Sequence, residues 1–222
     1  MTIKEERRLL PYDAVLFDVD GTLLDSAPGI LSTLREVFDA MGTDVSGVDL
    51  MRYVGPPLRQ TFAEYYDSPA EVERATELYR ASYAARGCHI CTPYPGAAEM
   101  LRRLKDAGLA LCTATCKPTH VVRPILEEQG LAPLFDFIAG ASMDQSRDTK
   151  ADVIRHALAQ PFMQGRRALM VGDRRDDMQG AAACGLDAAA ALYGYGGREE
   201  LAPFGPVLCA ESCQQLADLL LG

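Results

Sequence analysis

A chain of 222 residues that is 48% hydrophobic and 24% charged has the make-up of a globular protein, long enough for one large domain or a domain with an insert. A net charge of −9 argues against a basic nucleic-acid groove or a surface tuned to anionic membranes, so an anionic ligand must find local cations, lysine or metal. The segment Met1–Arg8 is charged and lacks the apolar core of a signal peptide, and no apolar run approaches the ~18–20 residues that span a bilayer, which makes a cytoplasmic location the expectation.

The first element is the run Ala14-Val15-Leu16-Phe17, which leads into Asp18-Val19-Asp20-Gly21-Thr22. A continuous apolar run bounded by turn residues suits a parallel strand buried on both faces. Side chains at i and i+2 of an extended chain share a side, so Asp18 and Asp20 leave the strand's C-terminal end together, where open α/β sheets bind ligands. Two carboxylates this close repel unless a cation joins them, and Gly21 lets the backbone turn away sharply.

Ser26 to Met41 carries Ile30, Leu34, Val37, Phe38 and Met41 at helical spacing, with Ser26 suited to the N-cap and Gly42 to the stop. Gly47–Tyr53, Leu58–Tyr66 and Pro69–Arg86 read as three further helical pieces. The first breaks at Val54-Gly55-Pro56-Pro57, and the last shows Val72, Ala75, Leu78 and Tyr79 on one face. Four helical segments without a strand between them make 26–90 an inserted module, with 1–25 and 91–222 forming an α/β core.

From Pro95 the pattern alternates. Helix Gly96–Ala107, strand Leu109–Thr115, helix Thr119–Gln129 and strand Phe135–Ala141 come first. Helix Ala151–Ala159, strand Arg167–Gly172, helix Asp176–Cys184 and strand Leu186–Leu192 follow. A glycine-rich turn leads to a last helix, Glu211–Leu221, with Leu216, Leu219 and Leu220 inward. The alternation predicts a doubly wound, mainly parallel sheet with helices on both faces.

Seven cysteines, an odd number, point to reduced thiols and not a disulfide framework. Cys88-His89-Ile90-Cys91 has zinc-knuckle spacing but no matching pair, since Cys112 and Cys116 fall on a core strand and Cys209 and Cys213 flank the last helix. Gly194-Tyr195-Gly196-Gly197 follows a late strand without the full G-x-G-x-x-G context and reads as a turn. His89, His120 and His156 lie outside every motif and no G-x-S-x-G occurs, so a serine or histidine hydrolase has no support.

Three strand ends carry reactive side chains: Asp18 with Asp20, then Thr115, then Asp173 with Asp177 beyond it. Lys150 precedes a helix that opens on the same edge, and in a parallel sheet all of these ends lie on one side. Clustered carboxylates of oxygen-only character favour a hard cation such as Mg2+. Hydroxyl, lysine and free N–H groups suit a phosphate, so the inventory suits phosphoryl transfer.

These motifs, Asp18-Val19-Asp20-Gly21-Thr22, Thr115 with Lys117, Lys150, and Gly172-Asp173 with Asp177, resemble in order and spacing those of the haloacid-dehalogenase-like phosphatases. The resemblance covers essentially the whole chain, with 26–90 similar to the helical cap that the family inserts after its first strand. Val54-Gly55-Pro56-Pro57-Leu58, Ala114-Thr115-Cys116-Lys117-Pro118 and Leu192-Tyr193-Gly194-Tyr195-Gly196 look like the phosphoglycolate phosphatase or 5'-nucleotidase branch.

The resemblance implies a Mg2+-dependent phosphatase for small phosphate monoesters. Asp18 would be the nucleophile and Asp20 the general acid and base, its proton favoured by the anion beside it. Asp18, the Asp20 main-chain carbonyl, Asp173 and Asp177 would hold the metal, while Thr115 and Lys150 would bind the phosphoryl group. Gly21, Thr22, Gly55 and Arg59 join the expected substrate contacts, and Lys117 stands open between phosphate contact and structure. Arg174 reads as an ion-pair partner, Asp176 as structural, and either Arg52 or Arg59 as a contact for a second anionic group of the substrate.

Three other readings use the same residues. A β-phosphoglucomutase-like mutase would share the aspartyl-phosphate, but those relatives usually read D-G-V where this chain has Gly21-Thr22. A response-regulator-like phospho-acceptor needs neither Asp20 nor a helical cap. A dehalogenase lacks the Asp20 equivalent, having no leaving group to protonate.

Overall fold

The computed structural model describes residues 11–144 and 146–222, and the charged segment Met1–Arg8 lies outside them. Strand β1 (Ala14–Phe17) buries all four of its side chains, as an apolar run without polar alternation requires. The short strand β2 (Leu24–Asp25) follows, then helices α1 (Ala27–Ala40), α2 (Leu58–Ala63) and α3 (Pro69–Ala85). Strand β3 (Thr92–Pro93) returns antiparallel to β2, so the helical segment leaves and rejoins the chain through one two-stranded neck.

Beyond the neck come α4 (Ala97–Asp106), β4 (Ala110–Thr113), β5 (Thr115–Pro118), α5 (Thr119–Glu128) and β6 (Gly140–Ala141). Next are α6 (Lys150–Leu158), β7 (Ala168–Gly172), α7 (Arg175–Ala183) and β8 (Asp187–Ala191). The chain finishes with α8 (Arg198–Leu201), β9 (Leu208–Ala210) and α9 (Cys213–Leu221). The main sheet has the order β4-β1-β7-β8-β9 and is parallel throughout, the architecture that the alternation predicts.

Alternate residues of β1 feed opposite faces. Val15 and Phe17 join a core with Leu101, Leu104, Leu216 and Leu220 of α4 and α9. Ala14 and Leu16 join Val153, Ile154 and Ala157 of α6 on the other side. Full burial of each large apolar side chain contributes roughly 1.5–3 kcal/mol.

Several expected boundaries shift, each for a local reason. The strand expected over Leu109–Thr115 splits: β4 stays in the main sheet, while β5 leaves it to pair in parallel with β6. Of the strand expected at Phe135–Ala141 only β6 forms, plus a single bridge from Phe137 to Cys112. Gly47–Tyr53 yields only a short 3-10 turn at Leu50–Tyr53, started by the Asp49 carboxylate accepting from the Met51 N–H (3.0 Å). Leu78 and Leu219 lie at the surface, and Tyr83 on α3 and Ala217 on α9 take the inward positions instead. Ser26 does not cap α1 with its side chain; the Tyr195 hydroxyl accepts from the N–H groups of Ser26 (2.7 Å) and Ala27 (2.8 Å). Strand β9, following the proline-containing segment 202–206, has no counterpart in the sequence reading.

Candidate active site

The register between β1 and β7 places Phe17 beside Val171, so the residues that follow each strand emerge side by side. Asp18 comes from β1, Asp173 from the end of β7, and Asp177 from the first turn of α7. All three are buried, with carboxylate oxygens within 4.8 Å of one another.

Two of the carboxylates are held from behind. Thr22 Oγ1 donates to Asp173 Oδ1 (2.9 Å), and the Tyr195 N–H donates to Asp173 Oδ2 (2.9 Å). Gly21, at φ +83°, and Gly194 pack so closely that a Cβ on either would run into the Asp173 carboxylate. Asp177 Oδ2 accepts from the Arg174 N–H at the start of its own helix (3.0 Å).

Lys150, the first residue of α6, brings the buried ammonium. Its Nζ donates to the Ala114 carbonyl (2.9 Å) and stands 2.9 Å from Asp18 Oδ1 and 2.7 Å from Asp177 Oδ1. Those two oxygens are within ion-pair reach but lack a directional hydrogen bond. The ammonium thus pairs with two of the three buried carboxylates. Burial pushes Asp18 up to about 6, with Lys150 opposing and Asp177 and Asp20 reinforcing. Asp173 is pushed well above the usual carboxylate range by burial and then by Asp177 and Asp18. Burial works against the Lys150 charge, but Asp177 and Asp18 outweigh it and hold the amine well above its ordinary value. An all-oxygen donor set that retains excess negative charge fits a hard divalent cation.

The Asp20 carboxylate stands apart from this group. Its Oδ1 accepts from Ser26 Oγ (2.5 Å) and from Lys117 Nζ (2.6 Å). Sequence reasoning sets the anion Asp18, with its metal, beside Asp20; the structure adds an ammonium of opposite sign. Lys117 is itself buried, donates to the Tyr83 hydroxyl of α3 (2.8 Å), and lies 4.9 Å from the Tyr83 ring centroid. Buried Thr115 accepts from the Lys117 N–H through Oγ1 (3.2 Å).

A cleft of about 220 Å³ opens between these strand ends and the helical segment. Asp18, Asp20, Thr115, Lys117 and Lys150 line one side; Tyr53, Gly55, Arg59, Tyr79, Arg80 and Tyr83 line the other. Two expected substrate contacts, Gly21 and Thr22, are absent from this lining because both turn toward Asp173. Arg59 reaches the wall, yet its guanidinium forms a bidentate pair with Glu73 (3.0 and 2.9 Å). Arg52 is exposed, pairs with Glu64 (3.2 Å) and lies outside the lining. Arg174 does pair with Glu200 (3.1 Å), while Asp176 and His120, assigned no chemistry from sequence, line the cleft.

Sequence reasoning missed Tyr195, Tyr83 and Arg80. The alternating glycines of Gly194-Tyr195-Gly196, after a strand ending at the same edge, were the available signal for Tyr195. Arg80 lines the wall half-buried, with no carboxylate partner among the described residues.

The model of the haloacid dehalogenase-like hydrolase family matches residues 15–191. Tyrosine-protein kinase PtkA of Mycobacterium tuberculosis is 43% identical over 183 residues, which cover 82% of this chain and 62% of that protein's length. A 5'-nucleotidase of Pseudomonas aeruginosa is 32% identical over 205 residues, covering 91% of this chain and 93% of its own. A phosphoglycolate phosphatase of Pseudomonas savastanoi pv. phaseolicola is 28% identical over 211 residues, covering 91% and 77%. The crystal structure of a predicted phosphatase from Clostridium acetobutylicum superposes with a TM-score of 0.89 at 38% identity, covering 96% of this chain and 99% of that one.

Proposed function

The chain belongs to the haloacid dehalogenase-like hydrolases, and from that premise we propose that it is a Mg2+-dependent phosphatase of small phosphate monoesters, working through an aspartyl-phosphate at Asp18. The observation that carries this reading is the meeting of Asp18, Asp173, Asp177 and Lys150 at one strand edge, with Asp20 and Thr115 on the same cleft. Asp18, Asp173 and Asp177, with the Asp20 main-chain carbonyl, would hold the metal, which supplies charge neutralisation for the phosphoryl oxygens.

An Asp18 oxygen attacks phosphorus, the bond to the ester oxygen breaks with its electron pair, and Asp20 gives that oxygen a proton. Water then attacks the aspartyl-phosphate, Asp20 takes a proton from it, and inorganic phosphate leaves. Thr115 and Lys150 bind the phosphoryl oxygens, and Lys150 also keeps the nucleophile in place. The helical segment 26–90 acts as the cap that closes the cleft, with Gly55 and Arg80 on its wall. Arg80, and not Arg59, is the cation available to a distal anionic group, because Glu73 occupies Arg59. A phosphoglycolate-like or nucleoside monophosphate ester in the cytoplasm, with no nucleic acid or membrane partner, completes the reading.

A second reading, phosphoryl transfer from a nucleotide to tyrosine, has the 43% identity to a protein named a tyrosine kinase in its favour. The test is a panel of 2-phosphoglycolate, nucleoside 5'-monophosphates and a hexose phosphate, assayed with and without Mg2+ beside the Asp18→Asn variant. A parallel arm carries ATP and a tyrosine peptide. Metal-dependent phosphate release lost in Asp18→Asn supports the phosphatase; isomerised sugar phosphate or labelled tyrosine without phosphate release overturns it.

A further inference from the structure

Lys117 links two parts of the molecule that are far apart in sequence. Its buried ammonium holds Asp20 Oδ1 at 2.6 Å on the strand-end side and the Tyr83 hydroxyl at 2.8 Å on α3. Ser26 Oγ donates to the same Asp20 oxygen at 2.5 Å. Both bonds therefore fall on Oδ1, while Oδ2 takes none from the described residues and Asp20 lines the cleft. A carboxyl anchored through one oxygen presents the other along a fixed line. Fixed aim of this kind is what proton transfer to a leaving oxygen requires.

We infer that Lys117 is a positioning residue for Asp20 and that the Tyr83 hydroxyl of α3 steadies the lysine in that place. The inference deepens the phosphatase reading and rests on it. Direct binding of phosphate through Lys117 is the competing role. Against it stands the commitment of the ammonium to Asp20 and to the Tyr83 hydroxyl. These bonds take two of the three ammonium donors and tie the group to Asp20, so a phosphoryl oxygen could meet only the third.

The experiment compares kcat/KM for two esters, an alkyl phosphate and p-nitrophenyl phosphate, in the native protein, Lys117→Met and Tyr83→Phe. An alkoxide leaves poorly without a proton, whereas p-nitrophenolate leaves readily, so loss of aim at Asp20 falls mainly on the alkyl ester. Lys117→Met is expected to lower the ratio of alkyl to p-nitrophenyl turnover about tenfold or more. Tyr83→Phe, which keeps the ring and removes only the hydroxyl, is expected to lower it by a smaller factor, and it carries the test if Lys117→Met does not fold. Equal losses on both esters, or an unchanged ratio, overturn the positioning role while leaving the phosphatase reading intact. Absence of turnover of either ester by the native protein overturns both.

Discussion

The strand edge and the helical segment 27–85 use their charges in opposite ways. At the edge, buried Lys150 pairs with Asp18 and Asp177 while Asp173 has no cation partner among the described residues, and burial drives Asp18 and Asp173 above their ordinary range. In and just beyond the helical segment three arginines pair with nearby carboxylates, Arg52 with Glu64, Arg59 with Glu73 and Arg86 with Glu36, while Arg80 on the cleft wall has no such partner among the described residues. That segment is held together by rings, with Phe38 edge-on to Phe62 and Tyr79 stacked on Tyr83. On the proposed reading, the incompletely compensated charge at the strand edge is where the chemistry is done, and the aromatic-cored helical segment is its wall.

Substitutions that sharpen this contrast should rank accordingly. Asp18→Asn should abolish phosphate release, a loss of at least about 10⁴-fold in steady-state assays, because it removes the proposed nucleophile. The same change should raise the melting temperature of the metal-free protein at neutral pH by removing a buried like charge. Lys150→Met should lower turnover by roughly 10²–10³-fold. It should also destabilise the fold by about 3–5 kcal/mol in denaturant titrations, since two buried carboxylates lose their counter-charge.

Metal removal and pH probe the same site. Asp18 titrates near about 6 in the metal-free protein against an ordinary 3.8, so between those values the folded chain keeps a proton that the unfolded chain has lost. Stability should therefore fall as pH rises through that window. Calorimetry with chelator should show the decline, reduced in Asp18→Asn, and Mg2+ should restore stability above it. On the wall the effects shrink. Arg80→Ala should raise KM for an ester with a second anionic group while leaving kcat nearly unchanged. Arg52→Ala should cost no more than about 1 kcal/mol, as an exposed ion pair does, and leave kinetics untouched.

The same contrast explains what was legible in the sequence. Asp18, Thr115, Lys150, Asp173 and Asp177 follow or begin elements with strong periodicity, and a parallel sheet gathers such ends by geometry alone. The roles of Gly21 and Thr22 as supports for Asp173 were hidden because turn residues carry no periodic signal. Arg59 and Arg80 lie on the same wall, and only the folded pairing with Glu73 tells the occupied guanidinium from the available one. Lys117 was undecided for the same reason: its partner Tyr83 lies 34 residues away on another element. Strand β5 escaped because its pairing with β6 is tertiary, across α5, and involves few residues.

The most direct measurement quenches the native protein with acid during turnover of a phosphate ester in Mg2+, reduces any acyl phosphate with borohydride, and locates the reduced residue by peptide mass spectrometry. Homoserine at position 18, absent without Mg2+ and absent in Asp18→Asn, is the predicted result. Sustained turnover with Asp18 unmodified, or phosphate carried on another residue, would contradict the account.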